Sequence, residues 1–383
     1  MCTNLIDVQR SAARRGLATV SLLVSILGCG GSDPPATPAV TLESAADCGS
    51  GWQPFMSSQT WDGISPLVYQ SGTLYYTSFN ANALLAVPTS GGPPATLASV
   101  TTNELWIEGD HLLLSQGNPA NQIYSVPLAG GTPQLVLDGG AGRTNAGPVL
   151  AHAFTATDFY WTEKSAASEA IPPTVWHQSR AGGSAEQIAT VIFQTPPNQT
   201  TQIEGYTTAP YLALTADAIL VANSFELAYA FPFAGGTQAQ LALPSASADF
   251  AAESQLAGLD SQGAYWAIPG HGYDPTSVVL SPADGSPAHV LLSALPYAAG
   301  VTQVRADGEG GWIVVGNQIF DDQVDHMTVR ALNAQGVSSL LACSPGDLDS
   351  SFVEQPIAVA PDAVYVVAMN LSAKTTEIDR IAR

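Results

Sequence analysis

The side chains best suited to proton transfer or metal binding are the six histidines, His111, His152, His177, His271, His289 and His326. They are scattered. None forms the His-Glu-Xaa-Xaa-His spacing that puts two imidazoles on one helix face, and no cysteine pair stands at zinc-binding spacing. A folded channel can still bring distant histidines together. There is no Gly-Xaa-Ser-Xaa-Gly elbow to present a nucleophilic serine, and Lys164 and Lys374 follow no phosphate-cradling glycine loop. Two acidic runs remain, Asp321-Asp322-Gln323-Val324-Asp325-His326 and Asp347-Leu348-Asp349. Oxygen ligands on a loop suit calcium. Both runs lack the full alternation of aspartates with a glycine, so solvated acidic loops are the expectation and bound calcium the alternative. No catalytic residue, metal ligand or cofactor is assigned.

Seven other residues share a position rather than a motif. Asp62, Glu104, Asn145, Glu204, Gln255, Gln303 and Glu354 each stand before or at the start of a short apolar run. Carboxylates and amides brought together there would bind a cation, a sugar or a peptide. The alternative is a water-filled channel mouth that holds no ligand. Which of the two holds depends on the elements that carry them.

Those elements repeat. Val126-Pro127-Leu128-Ala129-Gly130-Gly131-Thr132-Pro133 is echoed by Val87-Pro88-Thr89-Ser90-Gly91-Gly92 and by Phe231-Pro232-Phe233-Ala234-Gly235-Gly236. Shorter forms occur at Ala181-Gly182-Gly183, Ala283-Asp284-Gly285 and Ala334-Gln335-Gly336. A glycine turn between apolar runs is a hairpin signal, because the tight connection needs φ > 0. The preceding proline cannot donate to a ladder and so belongs at a strand end. The turns recur roughly every 40 to 53 residues, a period expected of four-stranded propeller blades. Each repeat also carries a run rich in aromatic and β-branched residues, such as Leu74-Tyr75-Tyr76-Thr77, Trp312-Ile313-Val314-Val315 and Val364-Tyr365-Val366-Val367. No amphipathic helix is expected in this part of the chain.

Seven repeats can be counted, but the last stops at its third strand, Ile378-Asp379-Arg380-Ile381. An open edge would result. The unused stretch Trp52-Gln53-Pro54-Phe55-Met56-Ser57 is therefore expected to complete the seventh blade. The expected fold is all-β, a seven-bladed propeller over residues 48–383. Strand direction alternates, so first-to-second and third-to-fourth turns share one face, and these are short. The other face carries the long connections, including residues 163–174, 193–208, 244–254 and 316–327, and long loops on a rigid scaffold are where function concentrates.

Residues 1–28 read as an export signal, with Arg10, Arg14 and Arg15 ahead of an uncharged apolar run from Leu17 to Leu27. That run is too short to span a bilayer. Ile26-Leu27-Gly28-Cys29 resembles the lipobox of bacterial lipoproteins, which implies cleavage before Cys29 and lipid attachment to its sulfur. A soluble signal cut nearby, leaving Cys29 a free thiol, is the alternative. Residues 29–47 are rich in Pro, Gly and Ser and read as a tether. Cys48 and Cys343 remain, and in an exported chain they are expected to pair, two free thiols being the alternative.

Tyr160-Trp161-Thr162-Glu163 resembles the motif of YWTD-type propellers, and the whole repeat is similar to that of propeller lipoproteins of Gram-negative bacteria. The motif's final aspartate is absent from every copy, Glu163 being the nearest substitute. A formal charge of −21 repels phosphates and disfavours nucleic acid. It equally disfavours polybasic contact with anionic lipid, leaving the lipid chain as the only membrane contact. The expectation is a monomeric, lipid-anchored module of the cell envelope, at the outer membrane, that binds a protein, peptide or saccharide without catalysis. The alternative resembles the metal-dependent lactonase propellers, with a cation at the channel mouth held by Glu104, Asn145 and their neighbours.

Overall fold

A computed structural model describes residues 42–57, 62, 64–102, 104–116, 122–141, 143, 146–164, 172–192, 211–223, 227–233, 237–242, 254–268, 276–292, 295, 300–322, 324–346, 348–349, 357–370 and 373–383. Seven antiparallel sheets follow one another along the chain. Blade 1 is Ile64–Gln70, Thr73–Ser78, Ala83–Pro88 and Ala95–Ala98; blade 2 is Leu105–Glu108, His111–Gln116, Gln122–Pro127 and Gln134–Asp138. Blade 3 is Val149–Phe154, Asp158–Glu163, Thr174–Ser179 and Glu186–Thr190; blade 4 is Tyr211–Leu214, Ala218–Ala222, Ala228–Pro232 and Ala239–Gln240. Blade 5 is Gln255–Asp260, Gly263–Ile268, Ser277–Pro282 and His289–Leu292; blade 6 is Gly300–Ala306, Trp312–Ile319, Asp325–Leu332 and Ser338–Cys343. Blade 7 takes Ile357–Val359, Ala363–Asn370 and Thr375–Ala382 from the end of the chain, and its outer strand, Trp52–Ser57, from the beginning.

The glycine turns adopt the backbone that motivated them, with φ of 86° at Gly130 and 151° at Gly131. A side chain at Gly130 would meet the Leu97 carbonyl oxygen of blade 1 at 3.2 Å, and the Gly131 N–H donates to that oxygen. The template turn thus also docks one blade on the next. Gly235 and Gly236 lie outside the described residues.

Second strands do not alternate apolar with polar, because each has a blade on both sides. In blade 6, Trp312 and Val314 pack toward blade 5 while Ile313 and Val315 pack toward blade 7. Seven apolar cores result, one between each pair of neighbouring blades, including blades 7 and 1. The sheets close into a wheel. At the seam Trp52 pairs with Ile381 and Ser57 with Glu377, with a bulge between Pro54 and Met56. The Cys48–Cys343 disulfide ties the seam to the outer strand of blade 6 across 295 positions.

Two connections differ from expectation. Residues 316–327 are not a long loop, since the flanking strands run on to Ile319 and from Asp325. Polar Gln318, His326 and Arg330 can lie buried in this sheet because their partners are supplied. Arg330 donates to Gln318 Oε1 and to the Glu43 carboxylate, each at 2.7 Å. Leu348–Asp349 likewise is strand rather than loop, pairing with the far end of Ala363–Asn370. Residues 43–47, read as tether, lie on blade 6: the Asp321 N–H donates to the Glu43 carbonyl, and Asp321 Oδ1 accepts from the Ala45 N–H at 2.7 Å. The one helix among the described residues is the single 3-10 turn Ala45–Asp47. Residues 1–41, with the export signal and Cys29, lie outside the described residues.

Candidate functional site

Of the seven residues placed at the channel mouth, Asn145, Glu204 and Glu354 lie outside the described residues. Asp62 fastens blades together. Its carboxylate accepts from the Ser78 hydroxyl and the Asn80 N–H, while its backbone exchanges hydrogen bonds with the Thr376 hydroxyl of blade 7. Glu104 does the same between blades 2 and 3, accepting from the His152 backbone N–H at 3.2 Å and facing His152 Nδ1 at 2.5 Å. A carboxylate acceptor puts the imidazole proton on Nδ1. Its Nε2 is buried and without a partner among the described residues. Gln255 is exposed at the start of the inner strand of blade 5. Gln303 sits inside the bulged inner strand of blade 6, its amide oxygen buried and unpartnered among the described residues.

Histidines stay apart as well. His111 meets Asp110 at 2.6 Å, His177 meets Asp158 at 2.8 Å, and His326 lies between Ser344 O and Asp322. Hydrogen bonds from Thr157 and then His177 hold the Asp158 carboxyl below its usual range, and the Val324 N–H and His326 do so for Asp322. The first acidic run is therefore a self-bonded turn that grips residues 43–45. No group of three or more metal-ligating side chains occurs among the described residues.

The charged and aromatic residues that do gather lie between blades 2 and 3. This interface buries five apolar side chains among the described residues, where the other six bury eight to thirteen. A cavity of about 420 Å³ opens there, lined by Glu108, His111, Leu113, Ser125, Val136, Phe159 and Arg180. Glu108 ends an inner strand and Arg180 lies in a third-to-fourth turn, so the cavity opens toward the short-turn face. The two pair at 2.6 Å, with the guanidinium 4.6 Å from the centre of the Phe159 ring and 5.3 Å from that of Phe154. Further in, Trp106 meets His152 and Phe154 edge-on. Sequence reading missed the Glu108–Arg180 pair because 72 positions separate its members and no local motif joins them.

Glu163, the acid of the Tyr-Trp-Thr-Glu run, turns out to be architectural. It is buried, and accepts from Arg143 Nη2 and the Gly147 N–H at 2.6 Å each and from the Trp161 indole at 3.3 Å. Arg143 stacks 3.6 Å from the centre of the Trp176 ring. The carboxylate thereby pins the connection from blade 2 to blade 3. Glu163→Ala leaves Arg143 without its counter-ion and is expected to cost about 3 kcal/mol, as breaking buried pairs does. Urea denaturation measures it; a loss below about 0.5 kcal/mol, the range of ordinary surface changes, would mean that other contacts hold this connection.

No protein-family profile and no curated protein sequence matches the chain. Solved structures do. Oligogalacturonate lyase from Vibrio parahaemolyticus aligns with a TM-score of 0.58 over 85% of this chain and 90% of that one, at 9% identity. YCF48 bound to D1 peptide aligns with a TM-score of 0.54 over 90% of this chain and 100% of that one, at 10% identity. Acylaminoacyl peptidase from Pyrococcus horikoshii gives 0.52 over 81% of this chain and 49% of that one, at 10% identity. Identities this low establish a shared β-propeller fold and nothing finer.

Proposed function

We propose that this propeller is a non-enzymatic binding module of the cell envelope, held at the outer membrane by lipid on Cys29, with its binding surface on the long-loop face. One observation carries the reading. A wheel sealed by a strand from the opposite terminus and a disulfide is a rigid mount, and its longest connections, residues 191–210, 241–254 and 344–356 around the short Leu348–Asp349 strand, all leave from one face. The disulfide also suits an oxidising compartment. Partners of this reading are a protein, peptide or saccharide ligand, taken up by a monomer, with no nucleic acid and no membrane contact beyond the lipid.

The test has two arms. Cys29→Ala is expected to move the protein from the membrane to the soluble fraction, and unchanged fractionation would remove the anchor. Replacing residues 193–208 with a Gly-Ser linker is expected to abolish saturable binding to isolated envelope fractions while leaving the unfolding midpoint unchanged. Undiminished binding would move the surface elsewhere. An enzymatic reading keeps one observation in its favour, the unpartnered buried Nε2 of His152, whose Nδ1 faces Glu104 as an imidazole oriented for a metal would face a carboxylate. It ranks second because both Glu104 oxygens already serve His152. It requires stoichiometric metal in dialysed protein that is lost in Glu104→Gln.

A further inference from the structure

The cavity between blades 2 and 3 has in its wall an arginine that its surroundings only partly satisfy. Arg180 Nη1 donates to Glu108 Oε2 at 2.6 Å. Nε and Nη2 of the same guanidinium are buried and find no partner among the described residues. A guanidinium carries five N–H donors, and unmatched donors on a buried charged group are costly. The group is nonetheless held in place. Its Cζ lies over the Phe159 and Phe154 rings, at 4.6 and 5.3 Å from their centres, and the Arg180 backbone N–H donates to the Thr157 carbonyl at 2.8 Å. Glu108 is also half engaged, since its Oε1 bonds to no described residue.

The pair stands where a ligand can reach it. The side chains of Arg180 and Glu108 keep 20% and 34% of their surface exposed, and both line the cavity of about 420 Å³. That volume lies within the range of small-molecule sites, about 300–1,000 Å³. Leu113, Val136 and Phe159 make the rest of the lining largely apolar, with the Ser125 side chain among them. Leu113 and Phe159 are buried, while Val136, on the outer strand of blade 2, is exposed. An ion pair and an apolar wall thus share one opening.

We infer that this cavity binds a free α-amino acid with an apolar side chain. The ligand inserts into the ion pair. Its carboxylate takes the Arg180 guanidinium in place of Glu108, and its ammonium takes the released Glu108 carboxylate. Glu108 satisfies one guanidinium nitrogen, whereas a planar carboxylate can accept from two in parallel. An anion alone would leave Glu108 uncompensated, and a cation alone would leave Arg180 so. Only a ligand with both charges close together answers both residues, and an α-amino acid carries them on one carbon. Its side chain then lies against Leu113, Val136 and Phe159. A zwitterion is neutral overall, so the formal charge of −21 does not repel it as it would an anion.

L-leucine is the probe. Titrated into the purified protein in a calorimeter, it is expected to bind saturably and to raise the thermal midpoint. N-acetyl-leucine lacks the ammonium and leucinamide lacks the carboxylate. Each is expected to bind about 10-fold or more weakly, as loss of a charged hydrogen bond does. Glycine keeps both charges without the apolar contact, and the same loss of about 10-fold or more is expected. Glu108→Gln keeps an acceptor for Arg180, and Arg180→Lys keeps the charge without the fork; both are expected to weaken leucine by a similar factor. Val136→Trp fills the cavity from an exposed strand position, and is expected to abolish leucine binding while the ligand-free unfolding midpoint stays unchanged. Absence of saturable leucine binding, or unchanged leucine affinity in Glu108→Gln and Val136→Trp, would overturn the site. N-acetyl-leucine bound as tightly as leucine would overturn the zwitterion assignment. Replacement of residues 193–208 should leave leucine binding intact, so this cavity and the long-loop surface stand or fail separately.

Discussion

Deleting residues 42–57 is expected to abolish cooperative unfolding and leave an aggregation-prone chain. The deletion removes the outer strand of blade 7, whose register runs from Trp52↔Ile381 to Ser57↔Glu377. It empties the place of Trp52, buried in the core between blades 6 and 7, and truncating a buried tryptophan alone costs about 3–5 kcal/mol. It also breaks the disulfide, worth about 2–5 kcal/mol in comparable cases, and strips buried Arg330 of the Glu43 carboxylate. Together these losses approach the whole stability of an ordinary domain, about 5–15 kcal/mol. The newly bared edge of Thr375–Ala382 would invite intermolecular pairing. Cys343→Ala separates the covalent from the non-covalent seal. It is expected to remain folded and lose about 2–5 kcal/mol, read as a lower urea midpoint, with a steeper slope as the uncrosslinked denatured chain expands. A deletion variant with a wild-type transition would show that the wheel does not need its terminal strand.

The second large effect concerns pH. Asp379 is fully buried in the same blade, paired with Pro54 of the closing strand and with Val366, and neither of its carboxylate oxygens finds a partner among the described residues. Burial pushes its pKa up to about 7; the Trp52 indole pulls it down without a well-formed hydrogen bond, and the Glu377 charge raises it further. The folded state therefore holds this proton where the unfolded state has already released it. Stability falls as pH rises from about 4, the ordinary aspartate range, to about 7, and flattens above that. The shift corresponds to a penalty of about 4 kcal/mol at pH 8, an upper figure because partial hydration softens it. Asp379→Asn is expected to unfold at a distinctly higher temperature than wild type at pH 8, and near the wild-type temperature at pH 4. Parallel pH profiles for the two proteins would assign the pH dependence to other groups.

Much of the architecture was legible because it is written locally. The Gly130-Gly131 phrase specifies its own turn, and the missing outer strand after Ile381 could be matched to the surplus run at Trp52. The sites were not legible for the opposite reason. Glu104 and His152 lie 48 positions apart, and Glu108 and Arg180 lie 72 apart. Such pairs meet only because neighbouring blades stack, and no periodicity in the chain encodes the meeting. Asp62 and Glu104 precede the inner strands Ile64–Gln70 and Leu105–Glu108, but their position in the sequence says nothing of their use as fasteners between blades. The run from Gly316 to Met327 looked like loop because its polar residues resembled solvated ones. Glu43, a residue assigned to the tether, is what makes buried Arg330 tolerable there.

The strand that finishes the wheel, Trp52–Ser57, leaves the ribosome long before its partner, Thr375–Ala382. Until then Trp52 waits, unpaired, for a sequence more than three hundred residues away, and the closure of so long a loop is expected to be the slow step of folding. The bond between Cys48 and Cys343 can form in its native place only after that wait, which makes oxidation of these two thiols a clock for the completion of the fold.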